Sequence, residues 1–208
     1  ALLVVTATIA AQEPFMWRGW GRRVPPRFAA AESFDGGFNF CRVMFQTGRF
    51  RRGGSWVVDY PRADVNLSIR LSELTKVRIS RDGEREPRHF VLPLTDPSLF
   101  RCPFVMMTEP GGLTLDDAEV ARLREYLLKG GFLWADDFWG EIAWQNFEQE
   151  MRKVLPAAEF DLRDLDGDHP LFRTQFPVQE VKQIPSINFW AETGGDTSEW
   201  GNDSREPR

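Results

Sequence analysis

Residues 104–140, FVMMTEPGGLTLDDAEVARLREYLLKGGFLWADDFWG, set two apolar runs on either side of an amphipathic stretch, with glycine pairs at both joints. The first run has no polar and apolar alternation, so it predicts a strand buried on both faces, as in a parallel sheet. Val120, Leu123, Tyr126 and Leu127 then form one helical stripe. Thr114 is placed to cap that helix, Asp116 and Asp117 sit at the positive end of its dipole, and KGG at 129–131 ends it. FLWADD follows as the next strand with its exit loop. Two strands joined through a helix are parallel, and the crossover is right-handed.

The same alternation extends both ways. NFCRVMFQ, from residue 39, and SWVVDY, at 55–60, predict strands; Val65, Leu67, Ile69, Leu71 and Leu74 space a helix over 63–74, and KVRIS predicts a further strand. RDGEREPR is a charged turn, HFVLPL a strand and DPSLF a short helical turn. Beyond the opening stretch, residues 141–154 turn Ile142, Phe147, Met151 and Val154 toward a core, before a strand at EFDLRDL and a turn at DGDHPLF. The expectation is an α/β fold, a flavodoxin-like three-layer sandwich with a mostly parallel central sheet. It occupies residues 39–190, after an irregular lead-in at 12–38 and before a loop or cut-short end at 191–208.

Composition bounds the partners. The 208 residues are 42% hydrophobic and 27% charged, an ordinary globular balance, with a formal net charge of -5. That charge offers no general attraction for nucleic acid or anionic lipid. ALLVVTATIAAQEP, at the start, predicts the remnant of a signal peptide over residues 1–11, cleaved after Ala10 or Ala11 and too short to span a bilayer. The expected location is therefore the periplasm or envelope. Cys41 and Cys102 lie in apolar segments, and two free buried thiols are the expectation. With these and only His89 and His169, no zinc site of the cysteine and histidine type is expected.

In a parallel sheet the crevice lies beyond the carboxyl ends of the strands, where strand order reverses. That rule selects DYPRAD, EPGG, DDFWG and DGDHP. The candidate ligand-binding residues are Asp59, Tyr60, Arg62, Asp64, Glu109, Gly111, Gly112, Asp136, Asp137, Trp139 and His169. Each has a plainer role beside it: Asp64 as a helix cap, Arg62 as the partner of Asp59 or Asp136, the glycines as a tight turn rather than an anion-binding pair of N–H groups. Asp136 and Asp137, ending an apolar strand, must meet water, a cation or an arginine to stay charged, and the Arg62 pair is preferred over a metal. Trp139 either stacks on a flat ligand or covers the core, and His169 is either a base oriented by Asp168 or a local hydrogen-bonding group. No nucleophile elbow, dinucleotide fingerprint or P-loop occurs, so no hydrolytic triad and no cofactor is implied.

DYPRAD, the stretch from DPSLF to ADDFWG, and DHPLF, in this order and spacing, resemble the bacterial family called domain of unknown function 4159. That family is similar to class I glutamine amidotransferases and to trehalose-utilisation-type proteins. The resemblance implies a flavodoxin-like fold with PGG at 110–112 in the place of an oxyanion loop and ADDFWG in the place of the nucleophile elbow. Asp136 or Asp137 stands where amidotransferases have cysteine, so glutaminase activity is not implied. The expected function is binding of a small polar ligand or an envelope protein partner at the crevice. Its alternatives are an enzyme acting on carbohydrate-like substrates and a structural module of the envelope.

Overall fold

The computed structural model describes residues 24–48, 55–83, 86–138, 140–179, 181 and 184–197. The proposed signal remnant at 1–11 and Trp139 lie outside the described residues. The strands in chain order are β1 (Phe40–Met44), β2 (Gln46–Thr47), β3 (Arg81–Asp82), β4 (Glu86–Pro87), β5 (His89–Pro93), β6 (Phe104–Thr108), β7 (Leu113–Thr114) and β8 (Phe132–Asp136). The helices are α1 (Arg62–Leu74), α2 (Asp117–Leu128), α3 (Glu141–Val154) and α4 (Ile187–Thr193).

Four strands form a parallel sheet in the order β5, β1, β6, β8. The chain steps from β1 to one side and then returns past it to β6, so strand order reverses between β1 and β6. This mixed α/β arrangement, with helices flanking a central parallel sheet, is compatible with a flavodoxin-like fold. Register sets the faces, because side chains at matched positions of a parallel pair point the same way. Arg42, Met106 and Trp134 share one row, and Thr108 and Asp136 the next. The opposite face carries Cys41, Val43, Val105 and Met107 into a core completed by Leu123 and Tyr126 of α2 and Phe147 and Val154 of α3.

Several local expectations change. SWVVDY is a hydrogen-bonded turn, with Val58 N donating to Ser55 O and Tyr60 N to Val57 O. Its apolar Trp56 and Val57 are buried as turn residues packed on the core, so DYPRAD follows a turn and not a strand. KVRIS contributes a single bridge, Phe38 to Ile79, and EFDLRDL forms no strand. The α2 cap is Asp116 and not Thr114: Asp116 accepts from Glu119 N at 2.8 Å while Glu119 accepts from Asp116 N at 3.0 Å, a reciprocal box. Ile142 is exposed and not directed to the core. On α1 the buried positions are Asp64 and Ser68, whereas Leu67 and Leu74 are exposed. A polar stripe one turn apart faces the sheet because the sheet presents a charge there.

The thiols are not free. Cys41 and Cys102, 61 positions apart and both buried, form a disulfide that ties β1 to the segment entering β6. Apolar flanks bury sulfur in either redox state, so they could not separate a thiol pair from a bridge. Alkylation of the denatured protein without reductant should therefore modify no cysteine. Replacing both by serine should lose on the order of 4 kcal/mol in urea unfolding, because the unfolded chain regains the freedom of a long loop. Two reactive thiols before reduction would remove the bridge from this account.

Candidate functional site

The site begins with a charge inside the sheet. Arg42 is fully buried on β1, and a buried guanidinium must find an anion and acceptors for its remaining donors. Asp64, also fully buried, supplies the anion: Arg42 Nε donates to its Oδ1 at 3.0 Å and to Oδ2 at 3.2 Å, and Nη2 donates to Oδ1 as well. Nη1 donates to Trp56 O at 2.9 Å, to Val58 O at 3.0 Å and to Thr108 Oγ1 at 2.9 Å. One side chain thus fixes α1, the 55–60 turn and the end of β6. Burial pushes the Asp64 carboxyl above its usual range, with the Arg42 hydrogen bonds and charge opposing. Asp64 is therefore a buried counterion in the first turn of α1 and not its cap.

Asp136 closes β8 one strand beyond Thr108 and on the same face. Its carboxyl is pushed up to about 6, first by burial and then by the Asp137 charge, with Asp59 adding to the rise and Arg42 and a Trp134 hydrogen bond opposing. Its Oδ1 is buried and has no hydrogen-bond partner. Asp59, Glu109 and Asp137 are the three non-glycine residues with positive φ among the described residues, at 58°, 48° and 62°. Left-handed backbone costs on the order of 1 to 3 kcal/mol at such positions and clusters where a site over-determines geometry. Glu109 N donates to Asp136 O at 3.0 Å, so the ends of β6 and β8 are tied together beneath these acids.

The remaining candidates separate from this rim. Arg62 is exposed on α1 and forms no ion pair among the described residues, so it does not balance Asp59 or Asp136. Tyr60 braces the chain: its hydroxyl accepts from Arg27 N at 3.0 Å and donates to Pro25 O at 3.3 Å, and its ring meets the edges of Trp56 and His89. Gly111 lies under α3, where a β carbon would stand 2.4 Å from that of Ala143, so close helix approach requires glycine there. Gly112 accepts from Gly48 N at 2.9 Å. His169 is exposed, and its Nδ1 accepts from Leu171 N at 3.2 Å in a local turn.

Sequence reasoning missed Arg42. The signal was an arginine within NFCRVMF, an apolar strand in which a cation requires a buried partner. Among the described residues no group of three or more histidines, cysteines or acids is placed to hold a metal ion, and no helix is long and apolar enough to cross a membrane.

The family follows from the match of its sequence pattern over residues 40–207, which spans all four sheet strands and the acidic rim. The chain belongs to the domain of unknown function family DUF4159. No curated protein matches it. Within this DUF4159 domain the strongest energetic claim falls on the buried pair. Asp64→Asn should lose about 3 to 5 kcal/mol in urea unfolding, because it leaves the Arg42 charge without its counterion. Arg62→Ala should change stability by less than about 0.5 kcal/mol. Comparable losses in both variants would contradict the assignment.

Proposed function

We propose that this DUF4159 chain is an exported or envelope-associated domain of flavodoxin-like, amidotransferase-related architecture that binds a small polar ligand beyond β1, β6 and β8, without glutaminase activity. One observation carries the reading: Asp136, at the carboxyl end of β8, keeps a buried carboxylate oxygen with no donor, while the nearby Arg42 is committed to Asp64. A buried acceptor without a donor costs about 1 to 3 kcal/mol, and a ligand hydroxyl or ammonium would relieve it. The charges of Asp137 and Asp59, which both raise the Asp136 carboxyl, favour neutral or cationic ligands over anions. The Cys41–Cys102 bridge fits an oxidising compartment, which supports the export reading. Carboxylates at 136 and 137 offer no thiol for amide hydrolysis, which supports the exclusion of glutaminase chemistry.

A second reading, an enzyme acting on carbohydrate-like substrates, has its own support. A carboxyl with a pKa of about 6 exchanges protons near neutrality, as a general acid or base must. Trp134, on the same face two residues before Asp136, is half exposed and presents an indole beside it.

Thermal shift with a panel of neutral sugars, sugar alcohols, amino sugars and polyamines tests the binding reading. Some member should raise the melting temperature of the wild-type chain, and Asp136→Asn should abolish that shift. The variant's own stability carries a sign. The raised carboxyl penalises the fold once ionised, so the penalty is absent below the ordinary value of 3.8 and complete above about 6. Asp136→Asn should gain on the order of 1 kcal/mol well above that range, after allowing for solvent screening, and lose the gain as the pH falls to the ordinary value. A ligand shift retained in Asp136→Asn, or no shift across the panel, would contradict the proposal, the latter favouring a structural module.

A further inference from the structure

The two edges of the sheet are finished differently. At β5, Val91 N donates to Arg27 O at 2.8 Å and Phe28 bridges Val91 in parallel, so the lead-in covers that edge. No described residue pairs with the outer edge of β8. Phe132 N donates to Pro103 O and Asp136 O accepts from Glu109 N, so the even positions of β8 turn their backbone groups toward β6. Alternation then turns the backbone groups of Leu133 and Ala135 outward. The strand has none of the lysines, prolines or bulges that blunt an exposed edge. On the α1 face, Phe132 and Trp134 are 56% and 47% exposed. On the other face, an apolar groove of about 350 Å³ runs beside the edge, lined by Leu127, Leu133, Ala135, Met151, Phe160 and Leu162 among others.

The chain also carries material that fits this surface. After α3 it passes the groove, where Phe160 and Leu162, at strand spacing, already line the wall beside Leu133 and Ala135. Farther on, α4 has seven residues, too few to be stable alone in water, and it exposes Ile187 by 74% and Trp190 by 50%, with Ile184 just ahead 90% exposed. Right-handed crossover from β8 through α3 directs the following segment to the outer edge of β8. Phe132 and Trp134, exposed on the face opposite α3, offer the later helix an apolar seat.

We propose that the C-terminal arm is a strap that closes on the β8 edge of its own chain. Residues 160–165 pair alongside β8 through the outward groups of Leu133 and Ala135, and α4 lays Ile187 and Trp190 over Phe132 and Trp134. Closure removes an aggregation-prone edge and brings apolar cover up to the row ending in Asp136, so the strap forms one wall of the crevice mouth. The inference rests on the two matching uncovered surfaces and is independent of what the crevice binds.

Amide hydrogen exchange on the full 208-residue chain tests it. Leu133 and Ala135 should exchange at least about tenfold more slowly in the wild type than in the double variant Ile187→Asp, Trp190→Asp. The same loss should follow Phe132→Asp from the opposite side, while Val43 in β1 stays protected in every variant and shows that the fold persists. Protection should not depend on protein concentration. Fast exchange at Leu133 and Ala135 in the wild type, or protection untouched by the variants, would overturn the proposal. Protection that rises with concentration would assign the edge to a second copy and overturn it equally.

Discussion

The structure turns on a guanidinium placed where a parallel sheet normally has only apolar side chains. Removing Arg42 from water costs several kcal/mol, and the fold recovers it only by converging a carboxylate, two main-chain carbonyls and a hydroxyl on one side chain. Those acceptors come from α1, the 55–60 turn just before it and β6, 14 to 66 positions from Arg42 in the chain. Their convergence sets where α1 lies on the sheet, gives the helix a polar buried stripe at Asp64 and Ser68, and draws the 55–60 backbone in toward β1. The neighbouring disulfide fixes β1 to the approach of β6 on the other face, so the strands on either side of the order reversal are held from both layers.

The consequence for chemistry is one of allocation. Arg42 is the cation that acts on the Asp136 carboxyl, and it lowers that carboxyl less than burial and Asp137 raise it. A carboxyl left in that state is uncomfortable in the free protein and comfortable with a donor from outside. Asp137 and Asp59, both held in left-handed backbone, add negative charge there and raise it further. Asp136 is therefore not half of an ion pair made for stability, and the proposed binding of a donor draws on that.

Much of the framework was legible in the sequence because its signals were local. The apolar runs at 104–108 and 132–135 carried no alternation and became parallel neighbours, β6 inside the sheet and β8 at its edge; 141–154 carried a clear helical period and became α3. SWVVDY misled because a short apolar run cannot distinguish a strand from a turn whose tryptophan and valine pack on the core. Arg62 drew the attention that belonged to Arg42, since proximity to Asp59 in the chain suggested a pair that the fold does not form. The acidic rim was placed by a topological rule, whereas its electrostatic character depended on Arg42 reaching Asp64 across 22 positions, which no local pattern encodes. The disulfide was equally hidden, because buried thiols and buried bridges have the same apolar flanks.

Everything proposed for the strand ends depends on Asp136 standing un-neutralised there while Arg42 is held by Asp64. Carbon-detected magnetic resonance of the side-chain carboxyls, followed through a pH titration of the folded wild-type chain, measures it directly. The account predicts that the Asp136 carboxyl titrates at about 6. A midpoint in the ordinary aspartate range, near 3.8, would mean that Asp136 is already matched within the protein and would contradict the account.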